Sequence, residues 1–296
     1  MRKIAWLSAV APLALAATLI AASGQEKTVP TGKAVTLTSD LAGMGMDPIL
    51  DNTGSVKVFT DEIHLNGIMQ DGEGNLIPGA ATKWEVSEDL LSWVWTVREG
   101  VKFHDGSPLT AEDFAWSWKR SVMSDESENP YHAGYAPLIE DIYAEGNTVI
   151  VKTKKPQPMM PLWWPTYDNQ VGYVLSKAQF EREGVEGLRT KPIGAGSFKL
   201  AALSTEDRYV DLEAFEDHYC CVPKTKNVRI MEVPELSTRI ALLRTGEADL
   251  IEATPTAKKD IEAAGLRTIA GNAGAVSTIW YLYQNFKKNP FNDQRV

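Results

Sequence analysis

Apolar and polar positions alternate most regularly between Trp84 and Arg120. Trp93, Trp95 and Val97 share one side of an extended segment while Val94, Thr96 and Arg98 take the other, which predicts a strand with one buried face. Glu99-Gly100 then turns the chain into a second short strand, Val101 to Phe103, which ends at the Asp105-Gly106 turn signal. Thr110 is placed to cap a helix, with Asp113 three residues on in the reciprocal position and Glu112 and Asp113 complementing the helix dipole. Phe114 and Trp118, four residues apart, share the inner face of that helix.

Elsewhere the pattern predicts a strand over Val35 to Thr38, a helix around Ser55 to Leu65 and a polar turn at Asp71 to Asn75. Further strands are expected at Thr148 to Thr153, near Ser197 to Leu200, at Val228 and Ile230, and over Leu266 to Ala270. Leu236, Ile240 and Leu243 trace a helical stripe that Gly246 ends, and Pro255 and Gly265 bracket another helix. Such alternation of strand and helix makes the chain an α/β protein built on mixed sheets.

The N-terminus departs from this pattern. Arg2 and Lys3 precede an apolar run from Ile4 to Ala22 that closes on Ala21-Ala22-Ser23-Gly24, the layout of a cleavable leader over residues 1–24. An uncleaved membrane anchor is the alternative, and N-terminal sequencing separates the two. Net charge is −9, and loss of Arg2 and Lys3 takes it to about −11, which disfavours nucleic-acid partners. About 270 residues remain after the leader, enough for two domains.

The only two cysteines, Cys220 and Cys221, are adjacent and cannot staple distant parts of the chain. Histidines 64, 104, 132 and 218 show no metal-ligand spacing, and no metal or cofactor is expected. Asp105, Glu112 and Asp113 lie close enough in sequence to suggest an acid–base pair of a secreted hydrolase. Turn and cap roles account for them better, and Gly196-Ser197 lacks the following glycine of a hydrolase elbow. The tryptophans at 84, 93, 95, 116 and 118 read as core. The proline-bounded stretch Met159 to Tyr167 fits cleft and core equally.

Leu76 to Asp113, with Pro78, Trp84, Arg98, Gly100 and the ending Val101-Lys102-Phe103-His104-Asp105-Gly106-Ser107-Pro108-Leu109-Thr110-Ala111-Glu112-Asp113, resembles the signature of the family 5 bacterial extracellular solute-binding proteins, the peptide and nickel binding group. Pro192 to Leu200 resembles the family's glycine-rich turn and strand, although Ala195 and Ser197 replace its usual threonine and proline. Asp217-His218-Tyr219, Val228 to Ile230, Ser237 to Leu243, Gly246 to Leu250, Asn285 and Pro290 to Val296 follow in the family's order. Cys220-Cys221 stands where tryptophan and glycine are usual.

The resemblance implies a type II, cluster C periplasmic binding fold with two lobes and an extra subdomain. Residues 25–58 and 168–266 would form the first lobe, 59–167 the inserted subdomain, and 267–296 the start of a second lobe that is largely missing. It implies no catalysis: a monomer closes on a peptide or other small solute in the periplasm and delivers it to the inner-membrane permease of an ATP-binding-cassette importer. Asn52, Lys57, Tyr131, Tyr135, Tyr167 and Asp168 are expected to line the cleft from the first lobe, and Trp280 and Tyr281 to flank it from the second. A nickel chelate, haem or an oligosaccharide are the alternative cargoes within the family.

Overall fold

A computed structural model describes residues 19–22, 33–38, 40–41, 43–51, 57–71, 73–124, 132–163, 172–220 and 222–269. In chain order the strands and helices begin with β1 (Leu19–Ala22), β2 (Lys33–Thr38), α1 (Lys57–Ile63), β3 (Leu65–Asn66), β4 (Ile68–Gln70), β5 (Leu76–Pro78), β6 (Ala81–Val86) and β7 (Ser92–Val97). They continue with α2 (Ala111–Met123), α3 (His132–Tyr135), β8 (Ile139–Glu145), β9 (Thr148–Thr153), β10 (Tyr173–Val174) and α4 (Lys177–Thr190). The last are β11 (Phe198–Ser204), β12 (Tyr209–Ala214), β13 (Asn227–Glu232), α5 (Leu236–Thr245), β14 (Leu250–Ala253), α6 (Lys258–Ala263) and β15 (Arg267–Ile269). No helix among the described residues is long and apolar enough to cross a membrane.

Among the described residues two main sheets organise these elements, beside the two-stranded pairs β10-β3 and β4-β5. The larger has seven strands in the order β11-β12-β13-β2-β14-β1-β15, with β2 parallel to both β13 and β14. The smaller runs β6-β7-β9-β8 and is antiparallel throughout. Alternation in β7 is as the sequence predicts: Trp93, Trp95 and Val97 are buried and their neighbours are partly exposed. Trp95 and Trp118 are fully buried and meet edge to face at 5.3 Å, so the sheet and α2 close on one apolar centre with Phe103 and Phe114. Fully burying side chains of this size contributes about 2–3 kcal/mol each.

α2 begins as the sequence demands. The Thr110 hydroxyl accepts from the Asp113 amide at 3.2 Å while the Thr110 amide donates to the Asp113 carboxylate at 3.0 Å, so two amides at the helix end are satisfied reciprocally. α5 ends on Gly246 in the left-handed conformation, as expected of the glycine after the stripe.

Three features differ from the sequence reading. Val101 to Phe103 is not a strand; a single bridge joins Lys102 to Pro108, because the Phe103 amide bonds Ser107 and the Leu109 amide bonds Val101 within one tight loop. α4 has no counterpart in the sequence reading, since Gly184 sits at φ 65 and divides the segment into two short helical pieces. Most consequentially, Leu19–Ala22 falls within the expected leader yet stands as a strand, antiparallel to β14 on one side and β15 on the other. Two strands separated by one strand width leave inward-facing amides and carbonyls that need a partner, and this segment supplies it.

Candidate functional site

The segment from Leu41 to Asp51 has little regular structure, yet Leu41, Met44, Met46, Asp47 and Ile49 are buried. Its backbone is held by distant side chains. Arg120, from α2, donates to both oxygens of Asp47 at 3.1 and 2.7 Å, and Arg189, from α4, donates to both oxygens of Asp51 at 3.0 and 2.7 Å. The Met46 amide bonds the Arg189 carbonyl at 3.0 Å, and His64 Nε2 donates to the Met46 carbonyl at 3.1 Å. Gly45 is required here, because a β-carbon on it would lie 2.1 Å from the Asp51 carboxyl.

α1 is held at its C-terminal end by His104 and the turn before β11. The Gly194 amide donates to His104 Nδ1 at 3.3 Å, which leaves Nε2 as the protonated nitrogen, and Nε2 donates to the Gly196 carbonyl at 3.1 Å. Burial lowers the imidazole pKa to about 3, with the Gly196 carbonyl opposing, so the ring is neutral at physiological pH. The Gly196 amide bonds the Ile63 carbonyl at 2.8 Å. Added β-carbons at Gly194 and Gly196 would sit 1.9 Å from the Ile63 carbonyl and 2.2 Å from that of Glu62. The two glycines therefore allow backbone to lie directly on backbone.

Of the residues expected to line a cleft, Tyr135 and Lys57 lie within the described structure. Tyr135 ends α3 and stacks face to face on Trp163, centroids 4.5 Å apart and planes 11° from parallel. Both rings are partly buried against the core of the smaller sheet, and Met159 and Leu162 beside Trp163 in sequence are 58 % and 36 % exposed. The result is an apolar shelf with an aromatic floor. Lys57 is only 4 % exposed, and its charge acts on Asp61 one turn along α1. Asn52, Tyr131, Tyr167, Asp168, Trp280 and Tyr281 lie outside the described residues.

The groups that suggested chemistry are engaged structurally. Asp105 accepts from the amide and hydroxyl of Ser107 at 3.0 and 2.6 Å, Asp113 caps α2, and Glu112 is exposed. Ser197 donates to Glu62 at 2.9 Å. Burial lowers the His64 pKa to about 4. Among the described residues no group of three or more His, Cys, Asp or Glu side chains is placed to hold a metal ion. A groove of about 610 Å³ runs between the end of α4 and β11, lined by Lys191, Pro192 and Leu200 to Leu203, and contains none of the expected ligand residues. Trp93, Trp95 and Trp118 are buried core, as expected, and Trp84 lies partly exposed against Trp95 at 6.0 Å.

Sequence reading missed the clamp residues Asp47, Asp51 and Arg189. Asp47-Pro48 is visible as a helix-breaking pair, but nothing local marks its carboxylate as the partner of an arginine 73 positions away.

Residues 75–296 match the family described as bacterial extracellular solute-binding proteins, family 5 middle. The dipeptide-binding protein of Escherichia coli K12 is 27 % identical over 311 residues, covering 96 % of this chain and 55 % of the relative. The nickel-binding periplasmic protein of the same organism is 28 % identical over 180 residues, covering 60 % of this chain and 33 % of the relative. Among solved structures, the periplasmic binding protein DppA from Helicobacter pylori in complex with the peptide STSA has a TM-score of 0.70 at 24 % identity over 78 % of this chain and 49 % of its own. MoaA from A.tumefacien R10 in complex with mannopinic acid has a TM-score of 0.73 at 20 % identity, covering 88 % of this chain and 53 % of its own. The chain spans about half the length of the relatives it matches.

Proposed function

The chain belongs to the bacterial extracellular solute-binding proteins of family 5, and from that premise we propose that it captures a di- or oligopeptide in the periplasm and delivers it to the permease of an ATP-binding-cassette importer. The type II binding-protein fold supports this reading. Capture is by closure of two lobes, with binding free energy selecting the closed form that the permease recognises. Nothing in such a cycle makes or breaks a covalent bond, so the protein is no enzyme, and a monomer suffices.

The observation that carries the peptide reading is the shelf at Tyr135 and Trp163, whose apolar surface is open beside the exposed Met159 and Leu162. Flat aromatic and flexible thioether surfaces accept side chains of many shapes, as a peptide carrier needs. Asn52, Tyr131, Tyr167 and Asp168 extend this surface in the proposal, and Trp280 and Tyr281 face it. Lys57, being buried, backs the site rather than touching the solute. Residues 59–167 act as the inserted subdomain that carries the shelf.

A second reading keeps the fold and changes the cargo, since relatives include a nickel-binding protein and a complex with mannopinic acid. Thermal-shift screening of the exported protein against peptides, metal chelates and oligosaccharides separates the two, because a ligand held only by the folded state raises the midpoint by mass action. A rise with peptides is expected. A rise with a sugar or chelate and none with any peptide overturns the peptide assignment, and turnover of a ligand overturns the non-enzymatic one.

A further inference from the structure

Met159 and Met160 are adjacent in sequence and opposite in position: Met159 is 58 % exposed, whereas Met160 is 0 % exposed within the core that the smaller sheet shares with α2. A short turn enforces the difference. Gln157 ties it to the sheet, its amide donating to the Leu90 carbonyl at 3.2 Å and its carbonyl accepting from the Met160 amide at 3.2 Å and from Trp93 Nε1 at 3.1 Å. One 3-10 turn over Met160–Leu162 follows, closed by the Leu162 amide on the Met159 carbonyl at 3.0 Å and the Trp163 amide on the Met160 carbonyl at 2.9 Å. Met160 therefore fills the core while Met159 stays outside, four residues before the Trp163 ring that stacks on Tyr135. Met44 and Met46 are buried, and Met69, Met123 and Met231 are partly buried against the cores, so among the described residues Met159 is the one exposed methionine.

A thioether has no proton to lose, so access to solvent decides which methionine an oxidant reaches first. With the shelf at Tyr135 and Trp163 read as solute-binding surface, we propose that Met159 is an oxidation site at its edge, and that conversion to the sulfoxide by a peroxide lowers solute affinity while leaving the fold intact. In this step the peroxide O–O bond breaks and one oxygen forms a bond to the Met159 sulfur. The sulfur is oxidised by two electrons, and hydrogen peroxide is reduced to water. A polar, hydrogen-bonding S–O group then stands where a flexible apolar group accepted side chains. Covering that group with an apolar side chain leaves it without a hydrogen-bond partner, which opposes binding. No core contact is lost, since the sulfur packed inside belongs to Met160.

Dilute hydrogen peroxide followed by peptide mapping in a mass spectrometer tests the site. In the folded, exported protein sulfoxide at Met159 is expected to build up about tenfold faster than at Met160; equal rates at the two neighbours overturn it. Calorimetric titration with a peptide found by the thermal screen tests the effect on binding. Affinity is expected to fall about three- to tenfold in the oxidised parent and to recover after treatment with methionine sulfoxide reductase and a dithiol, whereas Met159→Leu binds with one affinity before and after peroxide. That variant keeps the exposed Cys220, so an equal loss in variant and parent assigns the effect to another residue and overturns the proposal. A parent that keeps its affinity with Met159 fully converted does the same. Should the variant not fold, repair of the unaltered protein decides: recovery that requires the reductase supports the site, and recovery with the dithiol alone refutes it. An untreated protein that binds no peptide is a separate result, which removes the cargo reading itself and the switch with it.

Discussion

Asp47 and Arg120 form a two-pronged ion pair, 73 residues apart in sequence, with side chains 0 % and 5 % exposed. The guanidinium lies 5.8 Å from the Trp116 ring and 5.1 Å from that of Phe180, so α2 and α4 both enclose it. Removing one partner strands a charge away from water. Arg120→Met is expected to lower stability by about 3–5 kcal/mol, and the double change Asp47→Leu with Arg120→Met by clearly less. Urea unfolding of Asp47→Leu, Arg120→Met and the double variant checks this; additive losses would show that the pair is not coupled.

Two glycines make a contrasting pair. A β-carbon at Gly194 would collide with the Ile63 carbonyl at 1.9 Å, whereas one at Gly43 meets nothing within 4 Å. Gly194→Ala should destabilise by about 2–4 kcal/mol through forced backbone movement. Gly43→Ala should be neutral or stabilise by up to about 1 kcal/mol, because only the unfolded chain loses freedom. Thermal midpoints measured side by side report both.

His64 is neutral in the fold, its pKa lowered by burial to about 4. The unfolded chain binds the proton more tightly, so this contribution is complete above pH 6.5 and is lost as pH falls towards 4. At pH 5 the loss amounts to about 2 kcal/mol. His64→Gln is expected to reduce the acid sensitivity, seen by comparing denaturation of variant and parent at pH 7 and pH 5. A parent that is no less stable relative to the variant at pH 5 than at pH 7 contradicts it.

The shelf predicts a graded series in binding. Trp163→Ala removes the floor under Tyr135 and should weaken peptide affinity about tenfold, while Tyr135→Phe keeps the stack and should bind within about twofold of the parent. Calorimetric titration with a peptide found by the thermal screen provides the measurement. Equal affinity in all three proteins would remove the shelf from the binding surface.

What the sequence reveals about this molecule follows the range of its interactions. The Thr110 and Asp113 cap and the alternation in β7 are local, and each is legible from a few adjacent residues. Gly246 is equally legible, because a left-handed turn narrows the choice of residue. The Leu41 to Asp51 segment is not, since its partners lie 73 and 138 positions away and its own residues show no period. α4 escapes notice because Gly184 interrupts the helical stripe. Of the proposed binding surface, Tyr135 is expected through the family resemblance, whereas its stacking partner Trp163 falls in an aromatic run that fits cleft and core equally.

The pairing of Leu19–Ala22 with β14 and β15 has a bearing on the order of events in the cell. Its partners are synthesised more than two hundred residues later, so a nascent chain presents this apolar stretch bare long before anything in the same molecule can bind it. Once the late strands have formed, the stretch is tied into a ladder on both sides. Were residues 1–24 to act as the leader expected from the sequence, they would have to do so on a chain that has not finished folding.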